Sequence, residues 1–304
     1  MVNVFRNKRS KLILKKIIGY LFLFTSVLTC YSIWAIGLKA ISNSINIPII
    51  ITTILNRTGG IAICICLAFI AGKIAKNRDN IIDLIKINIR SVVDFLIGLL
   101  IGSIGMFVLF MIYQKFNWLT ISRVENTKLT ISTIFIGIIS ILFTNGFTAI
   151  TEEIIYRGYL LNAVSEIWNT KTSLFIMALI FSIHHLVVST SNETPLPLFI
   201  LSIIGPGIML GWAFIRTNKL WLPIGIHLMW NLMQDDVLNI PGRIVDGNSI
   251  ALRTIVSGPK YLIGTEYGIE TGLMGLIPLL ICFLLIEVYH LLCNKVNNQT
   301  AAST

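Results

Sequence analysis

Eight uncharged or nearly uncharged apolar runs divide the chain: Ile17–Leu38, Ile54–Gly72, Phe95–Tyr113, Thr130–Ile150, Thr172–Ser189, Leu196–Ile215, Leu220–Met233 and Gly272–Cys293. About 20 helical residues cross the hydrocarbon core of a bilayer, so the pattern predicts an all-α polytopic membrane protein with about eight transmembrane helices. The second run is crowded by Asn56 and Arg57, and the seventh is short. The longest connection, Gln234–Thr271, carries the turn signals "DD", "PGR" and "DGN" and is expected to cap the bundle on the non-cytoplasmic side. The polar tail "NKVNNQTAAST" is expected to be disordered. Three segments follow: N-terminal helices 1–3 over 1–129, a four-helix core of helices 4–7 over 130–233, and the loop, last helix and tail over 234–304. No internal repeat of the kind that marks secondary transporters is visible.

Composition agrees with the pattern. Apolar residues make up 55% of the 304 residues and charged residues only 12%, with a mean hydropathy of +0.82, far above a soluble domain. The net charge of +10 would point to nucleic acid in a soluble protein; here it follows the positive-inside rule. With a cytoplasmic N-terminus, sixteen of the 24 Lys and Arg fall on the cytoplasmic side, which places both termini in the cytoplasm and calls for no nucleic-acid site. The first run, about 22 residues, exceeds a signal-peptide core and is read as a retained helix. The five cysteines lie in or at the ends of apolar runs and number odd, so they read as buried apolar residues; Cys64 and Cys66 fall on different helix faces.

Candidate chemistry is concentrated between Asn145 and Asn231. Directly after twenty uncharged residues, "TEEIIYRGYL" carries Glu152, Glu153 and Arg157. Ionisable side chains at membrane depth cost about 2.5–3.5 kcal/mol each on insertion scales, so these three either lie in the headgroups or face protein. Glu153 and Arg157 stand i, i+4 with the acid first, the favourable order for a same-face pair, and the helical pattern continues to Trp168. Counted back from that end, Glu152 is roughly 24 Å deep at 1.5 Å per residue. The helix from Thr130 is then too long to be straight, and Asn145–Gly146 is the expected break. Of four histidines, His184 and His185 lie together in "LIFSIHHLVV", with His185 about 21 Å from the Lys171 end. His227, in "LPIGIHLMWNLM", has Asn231 as its i+4 neighbour. His290 reads as interfacial and structural.

These residues carry a family resemblance. "EEIIYR" fits EExxxR, Phe181 to His185 fits FxxxH, and His227 to Asn231 fits HxxxN; their order and separation resemble the CAAX protease and bacteriocin-processing (CPBP, Abi) family of intramembrane endopeptidases, over roughly Asn145–Met233. The resemblance implies hydrolysis of a peptide bond at membrane depth. Glu152 and His185 would bind and activate the attacking water, and His227 and Asn231 would stabilise the oxyanion or complete a metal site. Glu153, Arg157, Phe181 and His184 would support them. Glu152, His185 and His227 are an acceptable zinc set with a position left for water, a metal-free glutamate mechanism uses the same residues, and H-E-x-x-H is absent; the two mechanisms stay open. The implied partners are the bilayer and a membrane-associated peptide or protein substrate. The Ile, Asn and Lys bias points to a bacterial cell membrane and to bacteriocin or peptide-pheromone processing or self-immunity. A non-catalytic immunity or scaffold protein of the same fold is the main alternative, and a proton-coupled transporter a weaker one.

Overall fold

The computed structural model describes residues 2–77, 80–123, 131–188, 196–237, 252–263 and 272–302. Along the chain run helices α1 (Val2–Ser44), α2 (Ile49–Ala75), the short α3 (Ile81–Leu84) and α4 (Ile89–Lys115), then strand β1 (Leu119–Arg123). Helix α5 (Ile131–Glu153) passes without interruption into a π-helix (Ile154–Leu161) and the single turn α6 (Asn162–Ser165). There follow α7 (Thr170–Val188), α8 (Leu196–Thr217), α9 (Trp221–Asn231) with a π-turn Leu232–Val237, strand β2 (Leu252–Val256), the short α10 (Lys260–Ile263) and α11 (Leu276–Ala302).

The fold is all-α and polytopic. A helix covers each of the eight apolar runs. Among the described residues, five helical stretches are long and apolar enough to cross a membrane: Ser10–Ser44, Ile49–Ala75, Ile89–Lys115, Gly137–Ser165 and Leu273–Lys295, with Ile203–Thr217 a shorter apolar helix. Large apolar side chains such as Ile33, Ile36, Leu280 and Leu284 point outward, as a hydrocarbon solvent permits. The tail differs from expectation, because α11 continues helically to Ala302. A helix already nucleated by an apolar span extends residue by residue at little cost, whatever the polarity of the added turns.

The chain forms two compact units, 1–87 with 131–177, and 88–130 with 178–304. In the first, α1 and α2 form a hairpin whose turn has Asn46 at φ 54° and Pro48 opening α2. Ser42 and Thr52 hydrogen-bond across it, and Arg57 Nη1 donates to the Tyr31 hydroxyl at 2.8 Å. The buried stripe of α2 is Gly60, Cys64, Ala68, Ala71 and Ala75. Small residues at helical spacing let backbones approach closely where lipid supplies no hydrophobic drive, and a Cβ on Gly60 would stand 2.5 Å from the Phe147 ring of α5. Of the cysteines read as buried, Cys64 and Cys282 are buried while Cys30 and Cys66 are exposed, because they stand on the outward faces of their helices; Cys64 and Cys66 do lie on different faces, as expected.

The second unit is organised on α4 and α9. Gly98, Gly102 and Gly105 line the buried face of α4; at Gly98 an added Cβ would lie 3.0 Å from Gly225 Cα and 3.0 Å from Ile226 N. Helix α8 is tied to α11 by Arg216, which grips Glu287 at 2.7 and 2.9 Å while Trp212 Nε1 donates to the same carboxylate at 2.5 Å. Buried Asp94 on α4 accepts from Tyr289 of α11 at 2.5 Å and from Arg90 at 3.1 Å. The antiparallel ribbon runs from Leu119 opposite Val256 to Arg123 opposite Leu252. These strands were not expected, although "LTISR" alternates as a short strand does. Beyond β2 and α10, most of the connection Gln234–Thr271 expected to cap the bundle lies outside the described residues.

Candidate active site

The acidic half of the candidate site is built on the α5 to π-helix junction. Of the break or bend expected at Asn145–Gly146, a break is absent: α5 continues through both residues, and Asn145 Nδ2 donates to Ile141 O, 3.2 Å away in the same helix. The irregularity lies eight residues later. All eight residues of the π-helix Ile154–Leu161 are buried, and π-turns inside α-helices recur at functional sites because they redirect side chains without ending the helix.

At this junction the i, i+4 pair closes. Arg157 Nη1 donates to Glu153 Oε1 at 2.8 Å, with both side chains fully buried. The charge of Glu152 and the Tyr156 hydroxyl also act on Arg157. Glu152 itself is half-buried and stands close to the middle of the apolar stretch Gly137–Ser165. A headgroup placement does not fit side chains with no exposure inside such a stretch. Arg157, counted above with the cytoplasmic charges, therefore belongs to neither loop. Lys16 on α1 completes the unit's buried ionic chemistry, pairing with Glu166 at 2.9 Å and donating to Asn77 Oδ1 at 2.7 Å. Nothing in the local sequence around Lys16 singles it out from the other N-terminal lysines.

The imidazole half lies on α7 and α9 in the second unit. His185 Nδ1 lies 2.9 Å from Phe181 O. A carbonyl only accepts, so Nδ1 carries the proton, and in the neutral ring Nε2 presents the lone pair. The Phe181 ring packs on the same imidazole with centroids 4.2 Å apart, and His184 meets it edge-on at 5.6 Å. FxxxH spacing thus sets both the tautomer and the tilt of His185. His227 is buried on α9, with half-buried Asn231 one turn on at the helix end. Glu152, Glu153 and Arg157 belong to the first unit, and Phe181, His184, His185, His227 and Asn231 to the second, so each half is described within its own unit.

Carboxylate and imidazole donors suit zinc chemically. Among the described residues, no three His, Cys, Asp or Glu side chains are grouped as a metal site.

A multi-pass all-α membrane protein with carboxylate, guanidinium and imidazole groups inside its apolar helices is the class that fold and site define. Residues 132–233 match the Rce1-like family, the type II CAAX prenyl endopeptidases, and this match bears out the resemblance read from the three motifs. No curated protein and no solved structure matches the chain.

Proposed function

We propose that this protein is an intramembrane endopeptidase that hydrolyses a peptide bond of a membrane-associated peptide or protein with water activated by Glu152 and His185. The observation that carries the reading is the order of three i, i+4 pairs, Glu153/Arg157, Phe181/His185 and His227/Asn231, inside a segment that matches a family of endopeptidases. Two of the three pairs are in direct contact, which supports reading each motif as a same-face pair.

The chemistry follows from the donor and acceptor inventory. Arg157 is held by Glu153 at 2.8 Å, and Glu152, the first acid of the motif, is assigned the role of base. In this reading Glu152 is the base that takes a proton from the attacking water, and the unprotonated His185 Nε2 is a second acceptor for that water. As the carbon–oxygen bond forms, Glu152 takes the proton, and its transfer to the leaving amine completes hydrolysis. His227 and Asn231 donate N–H bonds to the developing oxyanion in a site of low dielectric, where such bonds are strongest. The substrates this reading favours are bacterial: bacteriocin precursors, peptide pheromones or their leaders, in processing or self-immunity.

The decisive experiment compares wild-type protein with Glu152→Gln on membrane peptides reconstituted with the purified enzyme in vesicles. Glutamine keeps shape and hydrogen bonding but takes no proton from water. The variant should fold normally and lose about 100- to 10,000-fold in cleavage per folded molecule. Cleavage at the wild-type rate would overturn the catalytic reading and favour a binding or immunity protein of the same fold.

A further inference from the structure

In the first unit, the corner between α2 and α3 encloses a cavity of about 210 Å³ whose walls include Phe69, Lys73, Asn77, Asn80, Gly158 and Tyr159. Its polar groups have a common character. The Asn77 Oδ1 atom already accepts from Lys16 Nζ at 2.7 Å, and Asn80 Oδ1 accepts from Ile82 N at 3.2 Å as the cap of α3. What both amides have left to offer is chiefly N–H. Two carbonyls in the last turn of α2 are likewise engaged: Lys76, in the left-handed region at φ 52°, donates to Lys73 O, and Asn77 N donates to Gly72 O at 3.0 Å. Lys73 adds an ammonium, 5.2 Å from the centroid of the Phe69 ring. Among the described lining residues none is acidic. The Lys73 ammonium, the two amide N–H groups and a lining without an acid among the described residues favour an anion.

Height and apolar lining narrow the anion. The cavity reaches from Gly158 and Tyr159, inside the apolar stretch Gly137–Ser165, to the point where the stretch Ile49–Ala75 ends in Lys73 and Lys76, the edge at which an apolar layer meets its phosphates. Ala68, Phe69 and Ile81 give it an apolar side, which suits a lipid's glycerol and acyl portion better than a hydrated ion. We propose that this cavity binds the phosphate of an anionic membrane lipid through Lys73, Asn77 and Asn80.

The test is equilibrium binding of a fluorescent phosphatidylglycerol to the purified full-length protein in detergent. Unlabelled phosphatidylglycerol, phosphatidylcholine with the same chains, and inorganic phosphate serve as competitors. Phosphatidylglycerol should compete at least tenfold better than either of the others. Lys73→Gln should weaken it roughly tenfold, the scale of one hydrogen bond to a charged group, while Lys11→Gln, a basic residue nearer the N-terminus, should not. Asn80→Asp keeps the helix cap but sets a negative charge in the cavity, so it should abolish binding at an unchanged thermal midpoint. Equal competition by phosphatidylcholine, or equal behaviour of Lys73→Gln and Lys11→Gln, would overturn the site. Competition by inorganic phosphate at the concentrations effective for phosphatidylglycerol would overturn the lipid assignment.

Discussion

Arg157→Ala is the most revealing single change outside the proposed chemistry. The guanidinium is fully buried and 2.8 Å from a carboxylate that is also fully buried, so truncation leaves Glu153 ionised without its main partner and next to a second acid, Glu152. Surface ion pairs are worth about 0–1 kcal/mol, whereas removing one partner of a buried pair costs roughly 3–5 kcal/mol. Set against a typical total stability of about 5–15 kcal/mol, that loss is a large share of the whole. The cost comes from the stranded charge, so removing both charges should cost less than removing one. Glu153→Leu combined with Arg157→Met fills similar volume with apolar atoms and should recover at least about 2 kcal/mol relative to Arg157→Ala. The assay is reversible unfolding in mixed micelles, followed by tryptophan fluorescence for the wild type, both single variants and the double variant. Destabilisation by Arg157→Ala of less than about 1 kcal/mol, the surface value, would refute the buried pair; a double variant no more stable than Arg157→Ala would refute the stranded-charge explanation.

Three further outcomes follow from the packing and the charge pattern. Gly98→Ala should cost about 1–3 kcal/mol by forcing α4 away from α9, measured by the same unfolding assay, while Gly37→Ala, whose Cβ meets nothing within 4 Å, should be neutral or slightly stabilising; equal effects would exclude close packing as the cause. Tyr289→Phe removes the hydroxyl that donates to buried Asp94 at 2.5 Å and should cost about 1.5–3 kcal/mol, and a stability unchanged from wild type would show that the bond contributes nothing. If the charge asymmetry sets the topology, a reporter fused after Lys219 should report the cytoplasm, since Arg216 and Lys219 form a basic pair between two apolar runs; an external signal there would overturn that topology.

Much of this protein is written in one dimension because lipid makes simple demands. Backbone groups in hydrocarbon must bond within their own helix, so long apolar runs such as Phe95–Tyr113 and Gly272–Cys293 can be little else than helices, and α4 and α11 cover them. Motifs at i, i+4 are legible for the same reason: a helix brings such side chains onto one face, and Glu153 meets Arg157, as Phe181 meets His185, within a single element. Features that depend on distant segments were not legible. The π-helix Ile154–Leu161, buried along all eight residues, has no counterpart in the local pattern. Asp94 looks like a stray acid near the start of a span until Tyr289, 195 positions away, donates to it, and Lys16 is one basic residue among several until Glu166 and Asn77 close around it. The ribbon of β1 and β2 pairs two five-residue strands that lie far apart in the chain. Local periodicity determines which residues share a helix face; which faces meet, and which charges thereby lose their water, is decided only when the chain is folded.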